Sequence, residues 1–411
     1  MKKARLTTRG RSFLSAGLTL LVGGVVLGFL DVVRLGGLLL ALVVATWWLS
    51  RRRDRRVEVA RQLQPDVVTA GSRCAITLTF TNTDRRRSRY GLAQETLDYT
   101  LGDSPRFVLP GMGAGESRVV EYTVQPRVRG EHDVGPVHVS IRDPFGMTER
   151  HVTVQAVDRL LVLPRIVALG ASHPPGAGSG QEGTTPAMIA LHGEEDVSLR
   201  NYQDGDDLRK VHWPATAHRG ELMVRQLDRP ARRSCVLLLD SRSSAHAGHG
   251  EHSSFEWAVS ALASIAARMH ELGYLVHLVS KETVAAGAHL SDLPPTVVQL
   301  WLARAALGGD DTNFASVLKG AHDVAGTGAV VVSAVADDLA GLLNDLGSLR
   351  QPGASALALR LDTASFGGPS PQRTVGLADY GWRVVDVSAD MTIEQAWNTI
   401  TRRSLVRVGA L

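Results

Sequence analysis

The sequence predicts a membrane-attached protein in three parts. An N-terminal transmembrane helical hairpin leads into an antiparallel β-sandwich, and a doubly wound α/β sheet follows. Three observations carry this expectation. Two apolar runs without a charge lie close together near the N-terminus. Residues 57–155 alternate apolar and polar side chains with the period of a strand. From Ser234 onward, short continuous apolar runs alternate with stretches of helical periodicity, the pattern of a parallel sheet covered by helices.

The hairpin rests on residues 13–30, eighteen residues without a charge, and residues 35–49, fifteen more. A membrane span needs about 20 apolar residues, with about 17 as the lower limit. The first run meets that length. The second does so when Val32 and Val33 are counted and Arg34 reaches back to the interface. Lys2, Lys3, Arg5, Arg9 and Arg11 precede the first run. Arg51, Arg52, Arg53, Arg55 and Arg56 follow the second, with Trp47 and Trp48 at interfacial depth. Basic residues at both outer ends describe a two-span protein of the cell membrane with both termini cytoplasmic. A cleaved signal peptide is the competing reading. Its basic start fits, but a second apolar run follows directly and no A-x-A-like site precedes Asp31.

A chain of 411 residues is too long for one core. The expected divisions are 1–56 for the hairpin, 57–160 for the sandwich, 161–233 for a linker and motif region, and 234–411 for the α/β domain. The net charge of +4 conceals an asymmetry. Residues 1–56 carry eleven Lys and Arg against two Asp, so the remainder is acidic overall. With no basic helix interleaved with aromatics outside that segment, a nucleic-acid partner is not expected. Cys74 and Cys235 lie far apart without a C-x-x-C partner, which excludes a cysteine zinc module. They read as buried free thiols.

In the β region, Ile76, Leu78 and Phe80 alternate with threonines, and 119–124 and 137–141 behave alike. Gly and Asp punctuate between the runs. Residues 127–136 are expected as a hairpin edge, and Asp143 to Gly146 as a turn. His132, His138 and His151 are scattered and read as surface or edge residues. Residues 170–192 are rich in Gly, Pro and Ser, hence a linker or loop.

The densest stretch of chemistry runs from Arg200 to Arg225. It holds Asp204, Asp206, Asp207, Arg209, Lys210, His212, Trp213, His218, Arg219 and Arg225, with apolar residues interleaved. A short helix from Asp207 to Trp213 is expected, capped by Asp206 and stopped by Pro214. Leu208 and His212 would share one of its faces, and Arg209 and Trp213 another. Asp206, Asp207 and His212 can also be read as an acid/base set. No nucleophile elbow, G-x-x-x-x-G-K-[ST] or H-E-x-x-H accompanies them. A polar network formed by Asp206, Asp207, Arg209, His212, Trp213 and Arg225, structural or partner-docking, is therefore preferred to catalysis.

Beyond it, 235–240 reads as a buried strand ending in Asp240, and 253–272 as a helix. Strands are expected at 274–279, 328–332, 356–361 and 383–387, and helices at 295–306, 313–324, 337–349 and 391–405. Ligands of such sheets bind at the carboxyl ends of strands, where Asp240 sits. His246, His249 and His252 follow it at three-residue intervals, either a polar loop or a transition-metal cluster.

The run Tyr202-x-x-Gly205-Asp206-Asp207-x-Arg209-x-x-His212-Trp213, continued by Ala217, Gly220, Leu222, Val224 and Arg225, resembles the domain of unknown function 58 family. Arg129-Gly130, Gly135-Pro136 and 143–146 are similar to that family's flanking β region. The resemblance implies a von Willebrand factor A-like domain at the C-terminal end. It also implies a MoxR-type AAA+ ATPase as partner. A von Willebrand A fold commonly carries a Mg²⁺ site that begins Asp-x-Ser-x-Ser. Here that element reads Asp240-Ser241-Arg242-Ser243-Ser244. Asp240 and Ser244 match and Thr312 can supply a threonine, but Arg242 and Ala334 replace ligands. Asp310 or Asp311 can restore a site with Mg²⁺ as cofactor. A guanidinium beside Asp240 favours an ion pair instead, so no metal or other cofactor is expected. The expected function is a non-enzymatic, membrane-anchored interaction scaffold for envelope-protein assembly. The alternative is a metal-dependent binding module or hydrolase built on Asp240.

Overall fold

A computed structural model describes residues 5–51, 57–88, 90–143, 145–175, 197–202, 211–227, 233–308, 310–326, 328–336, 341–351, 354–369 and 376–402. The chain divides into two compact units, Met1–Arg165 with Leu302–Arg304, and Ile166–Trp301 with Ala305–Leu411.

The first unit begins with a short strand, β1 (Arg5–Leu6), and two apolar helices, α1 (Thr8–Leu27) and α2 (Leu30–Arg51). Both helices are long and apolar enough to cross a membrane. Thr7 caps α1 by accepting the Gly10 N–H at 3.2 Å. Gly28, at φ 70°, ends the helix in the left-handed conformation a side chain would resist. Asp31 lies in the first turn of α2 and Arg34 just beyond it, so Val32 and Val33 belong to the second helix. There Arg34 donates to Asp31 at 3.1 Å, and the carboxylate suits a helix N-terminus. The buried residues of α1 are Gly10, Gly17 and Gly24, one every seven. Gly17 and Gly24 face Leu40 and Val33 of α2, where small residues let the two backbones approach, the usual basis of helix pairing in apolar surroundings, whereas Gly10 faces Met147.

Next come β2 (Val57–Gln64), β3 (Val67–Thr69), β4 (Cys74–Asn82), β5 (Gly91–Leu97), β6 (Arg106–Leu109), β7 (Ser117–Val124), β8 (Gly130–Arg142), β9 (Thr148–Val154) and β10 (Asp158–Leu163). Among the described residues they form two sheets. One runs β2-β4-β7; the other runs β1-β9-β8-β10-β3, with β5 joining β8 to β6. Inward residues of both sheets meet face to face: Leu78 and Phe80 of β4 pack with Ala93 of β5 and Val137, Val139 and Ile141 of β8. The pairing of β10 with β3 is parallel, a departure from the all-antiparallel expectation. Residues 130–136 are not a hairpin edge. They open β8, which lies inside its sheet between β5 and the pair β9 and β10. Pro136 has no N–H for a ladder, and it stands where β8 changes partner from β10 to β9. His132 is buried rather than at the surface. Its Nδ1 lies 2.8 Å from Thr100 Oγ1 and its Nε2 2.9 Å from the Val128 carbonyl. His138 and His151 are exposed.

The second unit starts with β11 (Val197–Asn201), α3 (Trp213–Arg219) and β12 (Met223–Leu227). It continues through β13 (Ser234–Leu239), α4 (Ser254–Glu271), β14 (Leu275–Val279), α5 (Lys281–Ala285), α6 (Pro295–Arg304) and α7 (Asp311–Val324). It closes with β15 (Val330–Ala336), α8 (Leu343–Ser348), β16 (Ala356–Leu361), β17 (Arg383–Val387) and α9 (Ile393–Thr401). Among the described residues, β14-β13-β15-β16-β17 make a parallel sheet. Val236, Leu238, Val331 and Val335 meet Phe314, Val317 and Leu318 of α7 on one face. Cys235, Leu237 and Leu239 are equally buried on the other, and α4 packs against β13, β14 and β15. A strand covered on both faces has no polar phase, which is why β13 and β15 read as continuous apolar runs.

Candidate functional site

The carboxyl end of β13 holds the most concentrated buried charge of the second unit among the described residues. Asp240 is the first residue beyond the strand, and Arg242 follows on an extended backbone. Both side chains are buried. Arg242 Nε donates to Asp240 Oδ1 at 3.1 Å and Oδ2 at 3.2 Å, and Nη2 donates to Oδ2 at 2.9 Å. The Arg242 backbone N–H adds a bond to Oδ1 at 3.1 Å. The guanidinium carbon lies 5.0 Å from the centre of the Phe314 ring, so an aromatic face from α7 supports the cation. Planar, forked hydrogen bonding of this kind is what distinguishes Arg from Lys as a carboxylate partner.

Among the described residues, those that would complete a Mg²⁺ site do not fit one here. The guanidinium engages both oxygens of Asp240. Ser244 is exposed and Ala334 offers no donor atom. Asp310 is committed to capping α7, accepting the Asn313 N–H at 3.0 Å and its side-chain amide at 2.9 Å. The side chains of Asp311 and Thr312 lie outside the described residues. The three histidines also divide. His246 places Nε2 2.8 Å from the Asp240 carbonyl and Nδ1 3.0 Å from Ser254 Oγ, while His249 and His252 are exposed and His252 faces Glu251 at 3.7 Å. The carbonyl requires a proton on Nε2, and in that tautomer Nδ1 accepts the Ser254 hydroxyl. His246 thus ties the loop to α4.

The stretch from Arg200 to Arg225 is built differently from expectation. Residues 203–210, with Asp206, Asp207 and Arg209, lie outside the described residues, as does the Arg225 side chain. Val211 is not helical; it bridges to Val224. The helix begins at Trp213, and Pro214 starts it rather than stopping it. A proline suits a first turn, where its missing N–H has no intrahelical partner to lose. Val211 and His212, the two described residues before Trp213, are therefore outside any helix. His212 is the cap of α3: its Nδ1 accepts the Ala215 N–H at 3.1 Å. That use of the lone pair argues against a general base. Trp213 is 65% exposed.

A second charged network lies in the sandwich, and the sequence reading missed it. Arg61 of β2 donates to Glu95 of β5 at 2.7 Å, with both side chains wholly inaccessible. Arg61 also pairs with Asp158 of β10, and the Tyr122 hydroxyl of β7 donates to Glu95. Burial, and then the bond to Glu95, push the Tyr122 hydroxyl well above its ordinary value. The network joins the two sheets. Strand alternation could have located it, because Arg61 and Glu95 fall in the inward phase of β2 and β5. Cys74 and Cys235 are free and buried, and burial raises both thiols.

The uncharacterized protein YeaD of Bacillus subtilis is 27% identical over 226 residues, 51% of this chain and 52% of that protein. The chain thus spans about half the length of the curated relative it matches. Among solved structures, a CARDB domain from Pyrococcus furiosus in complex with di-metal ions is 13% identical, at a TM-score of 0.20. It covers 26% of this chain and 93% of that one. The sporulation control protein Spo0M of Bacillus subtilis is 16% identical at a TM-score of 0.15, over 26% of this chain and 49% of that one. Similarity at those scores carries no argument. Residues 198–288, which hold α3, β13, Asp240, Arg242 and α4, match the model of the protein family of unknown function DUF58.

Proposed function

We propose that this protein is a membrane-anchored, non-enzymatic interaction scaffold whose α/β domain is von Willebrand factor A-like and binds its partner without a metal ion. The observation that carries this reading is the Asp240–Arg242 pair. The carboxylate that would begin a metal site is bound by a cation of the chain itself. Two N-terminal helices, apolar over most of their exposed surface, support the anchor, because apolar area of that extent needs a cover. Their basic flanks favour cytoplasmic termini. The docking face is the 200–225 stretch, where exposed Trp213 has the character of an interface anchor. A MoxR-type AAA+ ATPase is the partner the family resemblance suggests, and assembly of envelope proteins the process.

Two experiments test this. Titration calorimetry of the detergent-solubilised protein with Mg²⁺ and Mn²⁺ is expected to show no saturable heat at millimolar metal. Saturable binding abolished by Asp240→Asn would sink the metal-independent reading. Trp213→Ala, checked for a native thermal transition, is expected to weaken capture of the purified ATPase. Unchanged capture would remove the docking assignment.

A further inference from the structure

We infer that the turn between β8 and β9, led by Phe145, is a foot that inserts into the interfacial layer of the lipid bilayer beside the helical hairpin. This rests on the membrane-spanning reading of α1 and α2 and extends it to a surface of the sandwich.

The argument starts from how firmly that turn is held to the hairpin. Before α1, β1 pairs with β9 through Arg5 with Glu149 and Leu6 with Thr148. Thr7 donates its N–H to the Met147 carbonyl at 2.9 Å and its hydroxyl to the Gly146 carbonyl at 2.5 Å. Gly10 packs so closely that a Cβ there would fall 2.2 Å from the Met147 carbonyl oxygen. The far end of α2 joins in: the Thr46 hydroxyl reaches Met147 Sδ at 3.9 Å, and Ser50 Oγ lies 2.7 Å from Thr148 Oγ1. Met147 and Thr148 are buried in this clasp. The sandwich is therefore fixed to both membrane-side ends of the hairpin.

That attachment sets the depth. The charge-free run of α1 starts at Phe13, six residues after Thr7, which is about 9 Å of helix rise. The polar layer beyond the hydrocarbon is some 5–8 Å on each side of a bilayer. Thr7 and the Gly146 it binds thus lie at the outer edge of that layer, and Phe145 bridges the remaining distance to it. Trp47 and Trp48, 37% and 47% exposed, mark the same boundary on α2. Arg5, Arg9 and Arg11 add charge suited to anionic headgroups.

Phe145 stands 56% exposed in this setting. It is not loose. The buried Asp143 carboxylate accepts the Phe145 N–H at 2.7 Å and the Thr148 hydroxyl at 2.9 Å, and also binds the Thr148 N–H. Gly146, at φ 68°, completes the turn by donating to the Asp143 carbonyl at 3.0 Å. The hydrogen-bonded Phe145 thus leaves an aromatic ring exposed close to headgroup level, where burial in lipid removes its apolar surface from water.

The test uses the full chain in vesicles of phosphatidylcholine and phosphatidylglycerol. Phe145→Cys, Tyr99→Cys and Leu18→Cys are each labelled with an environment-sensitive fluorophore. Buried Cys74 and Cys235 stay unlabelled in the folded protein. Tyr99, 90% exposed in the sandwich, reports the aqueous surface, and Leu18 reports the α1 span. The expected result is several-fold stronger quenching by a nitroxide lipid in the Phe145→Cys protein than in the Tyr99→Cys protein, with the Leu18→Cys label also quenched. Strong quenching in the Leu18→Cys protein, with the Phe145→Cys and Tyr99→Cys labels quenched equally, overturns the foot and leaves the anchor standing. No lipid quenching of the Leu18→Cys label overturns the spanning reading, and the foot with it.

Discussion

At the scale of single residues, two buried Arg–carboxylate networks hold different parts of the molecule. Arg242 neutralises Asp240 at the end of β13, and Arg61 neutralises Glu95 between the two sheets. Removing two charges from water costs nearly what their attraction returns, so such pairs add little net stability. Removing one partner is another matter, because the other charge is left buried and alone. Arg61→Ala is expected to lower stability by about 3–5 kcal/mol in denaturant unfolding, with Arg242→Ala in the same range. Changes under about 1 kcal/mol would mean that water enters and solvates the orphaned carboxylate. The Arg242 substitution was visible in the sequence as a broken ligand pattern. Whether its guanidinium turned toward Asp240 or away depended on Phe314, which arrives from α7. Arg61 and Glu95 were legible through strand alternation, but their pairing was not, since they lie on strands of different sheets.

At the scale of elements, the helix pair shows how small residues determine packing. A Cβ at Gly36 would fall 2.6 Å from the Leu21 backbone nitrogen and 2.9 Å from the Gly17 carbonyl oxygen, whereas the space around Gly37 is open. Gly36→Ile is therefore expected to lower the thermal midpoint of the detergent-solubilised protein by several degrees. Gly37→Ile, its immediate neighbour, is expected to leave it nearly unchanged. Equal effects at both positions would mean that helix propensity, not interhelical packing, decides. Apolar character along the two runs predicted the helices. It could not reveal which stripe faces inward, because both helices are apolar nearly all round.

For the whole molecule, pH dependence follows from buried groups in both units. Tyr122 in the first and Cys235 in the second hold their protons above their ordinary values of 10.0 and 9.0. A raised folded-state value means the folded protein binds the proton more tightly. Its stabilisation is complete below the ordinary value and declines as pH rises past it. Urea midpoints are expected to fall progressively above about pH 9, and Tyr122→Phe to flatten the part above about pH 10. A midpoint constant from about pH 8 to about pH 11 would contradict this, because burial would then not penalise the ionised forms.

By itself the sequence determined the order of parts: two apolar helices, a run of alternating strands, then alternating buried strands and helices. Apolar periodicity is a local property, and it survives whatever the elements pack against. It also marked Asp240 and Arg242 as neighbours at a strand end. Tertiary structure decided what those marks meant. It made β8 an interior strand, buried His132, turned His212 into a helix cap and let Pro214 begin the helix it was expected to end. It also closed Arg61 onto Glu95 and clasped the β8–β9 turn between the ends of α1 and α2. Each of these depends on partners distant in sequence, or on a backbone path that local pattern leaves open. Hydrogen bonding and charge pairing are settled only when such partners meet.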